Sequence, residues 1–165
     1  MEQSVRMQDG VSLWALGNVL QRALIDKLRI ELGGVYTVNV NFKCENAPYN
    51  HYVFDVAIPC APDNVDKLVA ATYAEIARLQ KTGPRPEEIQ KEVEAQRRTA
   101  EKDAKDNNAW SWKLEMIYRE GEPFTRLSDP NALIAVVTAE NVQRVANKYI
   151  DTSKAVRFTM LPEKK

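Results

Sequence analysis

Apolar residues recur every three or four positions along the first third of the chain: Leu13, Leu16, Leu20, Leu24 and Leu28, with Val19 and Ile25 beside them. This is the stripe of a helix buried along one side, and its spacing predicts a helix over 11–32. Residues 1–10 are polar and read as a frayed turn. Gly33 then fits the position just past a helix end, where a left-handed residue closes the last turn. The period switches at once from 3.6 to 2. Tyr36, Val38, Val40 and Phe42 alternate with Thr37, Asn39 and Asn41, and after "ENAPYN" Tyr52, Phe54, Val56 and Ile58 resume the alternation. Two such runs around a Pro/Asn-rich loop predict a β-hairpin. One face is apolar and the other mixed, so helices are expected on one side only.

Helical spacing returns in "APDNVDKLVAATYAEIARLQKTG". Asp63 is the expected N-cap, Val65, Leu68, Val69, Thr72, Ile76 and Leu79 the inner stripe, and Gly83 the stop. "PRPEEIQKEV" opens a further helix, with Pro86 near its first position and Glu87 and Glu88 in its first turn. From Glu87 to Asp106 charges alternate in sign with few large apolar residues, which predicts a solvated face. "DNN" at 106–108 marks a break. The next helix carries Trp110, Leu114 and Ile117 on one stripe and ends at Gly121. A loop follows, with a short helical turn after Pro130. "TAENVQRVANKYI" is a helix capped by Thr138, with Val142, Val145, Ala146 and Tyr149 inward. "AVRFTM" at 155–160 alternates again and predicts a last strand.

The expected order is α-β-β-α-α-α-α-β, an α+β fold with an antiparallel sheet covered by helices on one face. At 165 residues the chain reads as a single domain, 1–165. A hairpin plus one distant strand makes a thin sheet for that length. A strand before the first helix is therefore expected to be missing from this sequence, and the edge it leaves is a place where a second copy could pair, as a homo-oligomer.

Composition narrows the function. There are 23 basic and 23 acidic residues and a formal net charge of zero. The cationic face that a nucleic-acid binder needs is absent, and nothing draws the chain to an anionic membrane. No apolar run approaches the ~20 residues of a membrane span. The N-terminus has no signal-peptide core, which leaves compartment open. Cys44, Cys60 and the single His51 match no standard metal-ligand spacing, so no metal site is expected in this chain.

The corner "LRIELGGVY" carries the most specific signal. Together with the hairpin, "PRPEEIQKEVEAQRR" and "TAENVQRVANKYI", it resembles the C-terminal domain of pitrilysin/insulinase-type zinc peptidases, nearest to their bacterial zinc-protease branch. The likeness runs from about Leu13 to Pro162. It implies a domain of the mitochondrial-processing-peptidase-like metallohydrolase fold within a larger, multi-domain peptidase. Zinc would sit in another domain of the parent protein, on an inverted H-x-x-E-H motif that a chain with one histidine cannot contain. The resemblance further implies that an arginine and a tyrosine at this spacing, here Arg29 and Tyr36, contact peptide substrate in a chamber that this domain closes. No residue of this chain would be catalytic. The implied partners are zinc-bearing N-terminal domains or a partner subunit, and peptide, with a bacterial periplasm or cell envelope as the expected setting.

Other readings of the same residues stay open at this stage. Arg29 could simply neutralise the negative end of its helix. Tyr36 shares strand parity with Val38 and Val40, as a core aromatic would. Trp110 and Trp112 could form a peptide platform or pack internally. As a whole the chain could be a peptide- or partner-binding scaffold of an inactive family member, or a helix-covered module without a site.

Overall fold

The computed structural model describes residues 5–45, 49, 51–121, 123–124 and 128–161. The polar first residues, most of the "ENAPYN" turn, part of the loop after Gly121 and the last residues of the "LPEKK" tail lie outside them. Six α-helices occur among the described residues: α1 (Val5–Leu24), α2 (Val65–Thr82), α3 (Pro86–Asp103), α4 (Asn107–Glu120), α5 (Pro130–Ala135) and α6 (Ala139–Tyr149). Two antiparallel strands, β1 (Asn39–Glu45) and β2 (His51–Ala57), form the sheet, in register from Asn39 opposite Ala57 to Glu45 opposite His51. The α+β architecture with helices over one face is the one the sequence predicts.

The leucine stripe works as expected. Leu13, Leu16, Leu20, Leu24 and Leu28 are all fully buried, against Leu68, Ile76 and Leu79 of α2 and Val142, Val145 and Ala146 of α6. Val40, Phe42, Phe54 and Val56 close this core from the sheet. Burying a leucine side chain contributes roughly 1.5–3 kcal/mol, so the stripe is a principal source of stability. Side-chain amides stitch the two helices beside α1. Gln80 Nε2 donates to the carbonyls of Ala146 (3.1 Å) and Ile150 (2.7 Å), and Gln143 Nε2 to that of Gln80 (3.1 Å). Gly83 and Gly121 end α2 and α4 at positive φ, and the Thr138 hydroxyl accepts from Asn141 N, as predicted.

Several expectations need correcting. α1 begins by Val5, well before residue 11, and its last turns widen into a π-helix over Ile25–Glu31. Asp63 does not cap α2. It lies inside a 3₁₀ turn, Pro62–Asn64, and Asn64 holds the cap position without a side-chain bond. On α4 the buried residue is Met116, while Leu114 is exposed. The face of α3 expected to be solvated is not solvated throughout: Glu92 is 0% exposed. It accepts hydrogen bonds from Asn18 Nδ2 (3.0 Å) and Gln96 Nε2 (2.8 Å) and pairs with Arg22, which joins α3 to α1. Burying a carboxylate is tolerable only with such partners. Finally, residues 155–160 do not form a strand. They run exposed, with no strand beside them among the described residues. The alternation is present, but a strand needs a neighbour to satisfy its backbone.

Candidate functional site

The corner between α1 and β1 is built by local rules. Leu28 anchors the π-helical turn in the core, and Arg29 and Ile30, next along it, are turned outward. π-Turns concentrate at functional sites, because the wider turn re-aims side chains. Gly33 takes φ 62°, and its N–H donates to the Arg29 carbonyl (3.1 Å). Gly34 N–H reaches back to the Leu28 carbonyl (3.1 Å), which closes the widened turn. Gly34 is also a requirement of packing, since a Cβ there would lie 2.8 Å from Leu68 Cδ2. Val35 then bridges to Cys60, so the corner is held against the chain leaving β2.

Tyr36 sits in a bend just after that bridge, before β1 begins at Asn39. Val35 and Val38 both point inward, three residues apart, so the strand parity is reset between them. That reset frees Tyr36 from the core, and it is 82% exposed. The Arg29 guanidinium lies over the Tyr36 ring, 5.4 Å from its centroid. A cation–π contact at an exposed position is worth about 0.5–1 kcal/mol, enough to favour one mutual orientation. Among the described residues no carboxylate pairs with Arg29 and no acceptor takes the Tyr36 hydroxyl. The corner therefore presents a guanidinium fork and a phenol side by side to solvent. Both are donors toward a carbonyl or carboxylate oxygen.

The other candidates are not brought together. Trp110 donates its Nε1–H to the Ala104 carbonyl (3.2 Å) and is covered by Lys113, whereas Trp112 is exposed. Two residues apart on a helix they do not share a face, so they form no platform. His51 lies tilted against the Tyr49 ring and contacts the Tyr49 carbonyl (2.9 Å), Cys44 lies within β1 opposite Tyr52, and Cys60 sits at the Val35 bridge. Among the described residues no group of three or more His, Cys, Asp or Glu is placed to hold a metal.

Sequence reading missed a second polar centre. Asp9 of α1 is 4% exposed and accepts from Arg144 Nη2 (2.7 Å), Lys148 Nζ (2.9 Å) and Tyr149 Oη (2.7 Å) of α6. Burial works to raise its pKa. The three donors outweigh burial and hold the carboxyl at about 2. Burial, with the Asp9 carboxylate next, raises the pKa of Tyr149. No local pattern marks Asp9, because its partners lie at the other end of the chain.

Comparison with known proteins gives consistent relatives. The sequence profile described as the peptidase M16 inactive domain matches residues 7–96. A zinc protease PQQL-like protein of Arabidopsis thaliana is 34% identical over 152 residues, which covers 89% of this chain and 16% of that protein. The periplasmic protease PqqL of Escherichia coli superposes with a TM-score of 0.74 at 16% identity, over 90% of this chain and 16% of that one. The ferredoxin protease FusC, solved in complex with Arabidopsis ferredoxin, gives 0.73 at 18% identity, over 92% and 17%. The two superpositions establish the fold, and the chain spans about a sixth of the length of each of these relatives.

Proposed function

The chain belongs to the peptidase M16 family as an inactive, C-terminal domain of zinc protease-like proteins, and from there we propose that it forms one wall of a peptide chamber in a longer protein and contributes Arg29 and Tyr36 as substrate contacts. Residues 1–165 would be one domain of that protein. Zinc, and the groups that use it, would belong to other domains or a partner subunit, since the relative by sequence is a zinc protease and the described residues of this chain hold no group of three or more ligands. A periplasmic or envelope setting belongs to the same proposal, because one structural neighbour is a periplasmic protease.

One observation carries the reading. Arg29 and Tyr36 lie against each other, exposed, on a corner whose backbone is fixed by a π-turn, a left-handed glycine and a close approach to Leu68. Tyr36 is 82% exposed, so core packing does not account for its placement. In the proposed role the guanidinium and the phenolic O–H donate to backbone carbonyls of an extended peptide. The aromatic contact orients the guanidinium beforehand, which lowers the cost of ordering it on binding. Each donor would strengthen its bond where negative charge grows on a reacting carbonyl oxygen.

The test is substitution in the zinc-bearing protein that contains this domain. Tyr36→Phe removes one hydroxyl and Arg29→Ala the guanidinium with its aromatic contact, both from exposed positions, so stability should change by no more than about 1 kcal/mol. Peptide kcat/KM should fall roughly 10- to 100-fold for each, the equivalent of one charged or polar contact. Unchanged turnover in both variants at unchanged melting temperature would remove the substrate role.

A further inference from the structure

Beyond that reading, the leucine spacing at the end of α1 bears on what holds Arg29 against Tyr36. An α-helix advances ~100° per residue, so apolar positions on one face recur at three, four and seven. The leucines here recur at four without a break: Leu16, Leu20, Leu24, Leu28 and Leu32. Each step of four overshoots a full turn by ~40°, so an α-helix continued to residue 32 would carry Leu28 and Leu32 progressively off the core side. It would bring Lys27 and Glu31, three and seven positions after Leu24, into their place. The chain winds more slowly instead. Over Ile25–Glu31 it is a π-helix, and Leu32 N–H donates to the Lys27 carbonyl five residues back (3.2 Å). Bonds over five residues give ~80° per residue, so a step of four now falls short by ~40° and cancels the earlier drift. Burial follows accordingly. Leu16, Leu20, Leu24 and Leu28 are all 0% exposed, Leu32 packs against the same core, and Lys27 and Glu31 pair with each other at the surface.

We propose that Leu28 and Leu32 are positioning residues for the Arg29–Tyr36 pair, because their four-residue spacing from Leu24 locks this helix end in the π register. Arg29 is the fifth residue after Leu24, so the two registers place it ~100° apart around the helix axis. That is more than a quarter turn, enough to take the guanidinium off the ring it now covers at 5.4 Å. The π register is held against local preference. It leaves Ile30 72% exposed, and π-helices of more than one turn are rare. What offsets this is the burial of two leucines, where the α register would turn a lysine and a glutamate toward the core. The functional weight of the lock rests on the substrate role proposed above, while its geometry does not.

Nuclear magnetic resonance of the 165-residue chain reads the register. The Tyr36 ring should shift the Arg29 side-chain protons upfield, and Tyr36→Leu should abolish that shift. Lys27→Leu with Glu31→Leu supplies an apolar stripe at the α spacing. It should draw the helix end into the α register, so that the upfield shift is lost while far-UV circular dichroism stays helical. Lys27→Gln with Glu31→Gln removes the same ion pair without adding a stripe, and should keep the shift. Deleting exposed Asp26 brings Leu28 and Leu32 to three and seven positions after Leu24, where an α-helix suffices, and should keep it too. In the longer peptidase, the two-leucine variant should lower peptide kcat/KM roughly 10- to 100-fold, and adding Arg29→Ala to it should lower it no further. A shift that survives the two-leucine substitution, a shift lost in the glutamine pair or on deletion of Asp26, or a further loss of turnover on adding Arg29→Ala would each overturn the register lock. Turnover insensitive to Arg29→Ala alone would instead remove the substrate role and leave the lock standing on its spectra.

Discussion

Replacing Asp9 with asparagine tests whether the α1–α6 contact is held by charge. In the native protein the Asp9 carboxyl is held at about 2, against 3.8 for the free side chain. That difference corresponds to roughly 2 kcal/mol of stability at neutral pH. Because the folded value is the lower one, the contribution is complete above the unfolded value near 4. It fades as pH falls through the folded value near 2. In Asp9→Asn the amide keeps one acceptor for the Tyr149 hydroxyl, while Arg144 and Lys148 lose their counter-charge. Both are half-exposed and regain water, so the loss should stay near 2 kcal/mol. The melting temperature should fall by about 4–8 °C at pH 7, given ~2–4 °C per kcal/mol for a domain of this size. Urea denaturation of both proteins between pH 7 and pH 2 is the direct assay, and the gap between them should narrow steadily below pH 4. Equal stability at pH 7, or a gap that does not depend on pH, would refute the reasoning.

Two further substitutions test the packing behind the proposed site and the buried carboxylate. Gly34→Ala should destabilise the chain by about 1–3 kcal/mol in urea, because the new methyl meets buried Leu68 at 2.8 Å and the core side chain must shift. In the longer peptidase proposed above, the same change should lower peptide turnover by moving Arg29 and Tyr36. Glu92→Ala should cost about 1–3 kcal/mol, since Asn18 and Gln96 lose their acceptor inside the protein. If Glu92→Ala melts at the wild-type temperature, the α1–α3 network is not a source of stability.

Whatever follows from local spacing was readable in the sequence. The leucine stripe of α1, the inner faces of α2 and α6, the hairpin register face and the stops at Gly33, Gly83 and Gly121 all depend on residues within a few positions of one another. Helical and strand periods and the steric freedom of glycine act over that range. The resemblance of the corner pointed to Arg29 and Tyr36 on the same basis. Asp9 and Glu92 were illegible because a buried carboxylate is decided by its partners. Those partners, Arg144, Lys148 and Tyr149 for one and Asn18 and Arg22 for the other, come from distant helices. The same holds for 155–160. Its alternation is a strand's, but strandness is a property of a pair. Tyr36 joins the two cases: its sequence supplied a phenol at the mouth of a strand, and only the bridge from Val35 to Cys60 and the bend after it turned that phenol outward, over Arg29. Local periodicity determined which residues are helix, strand and stop. Long-range packing decided which charges are buried, which edge is open and which side chains face solvent, because those depend on what the folded chain brings alongside.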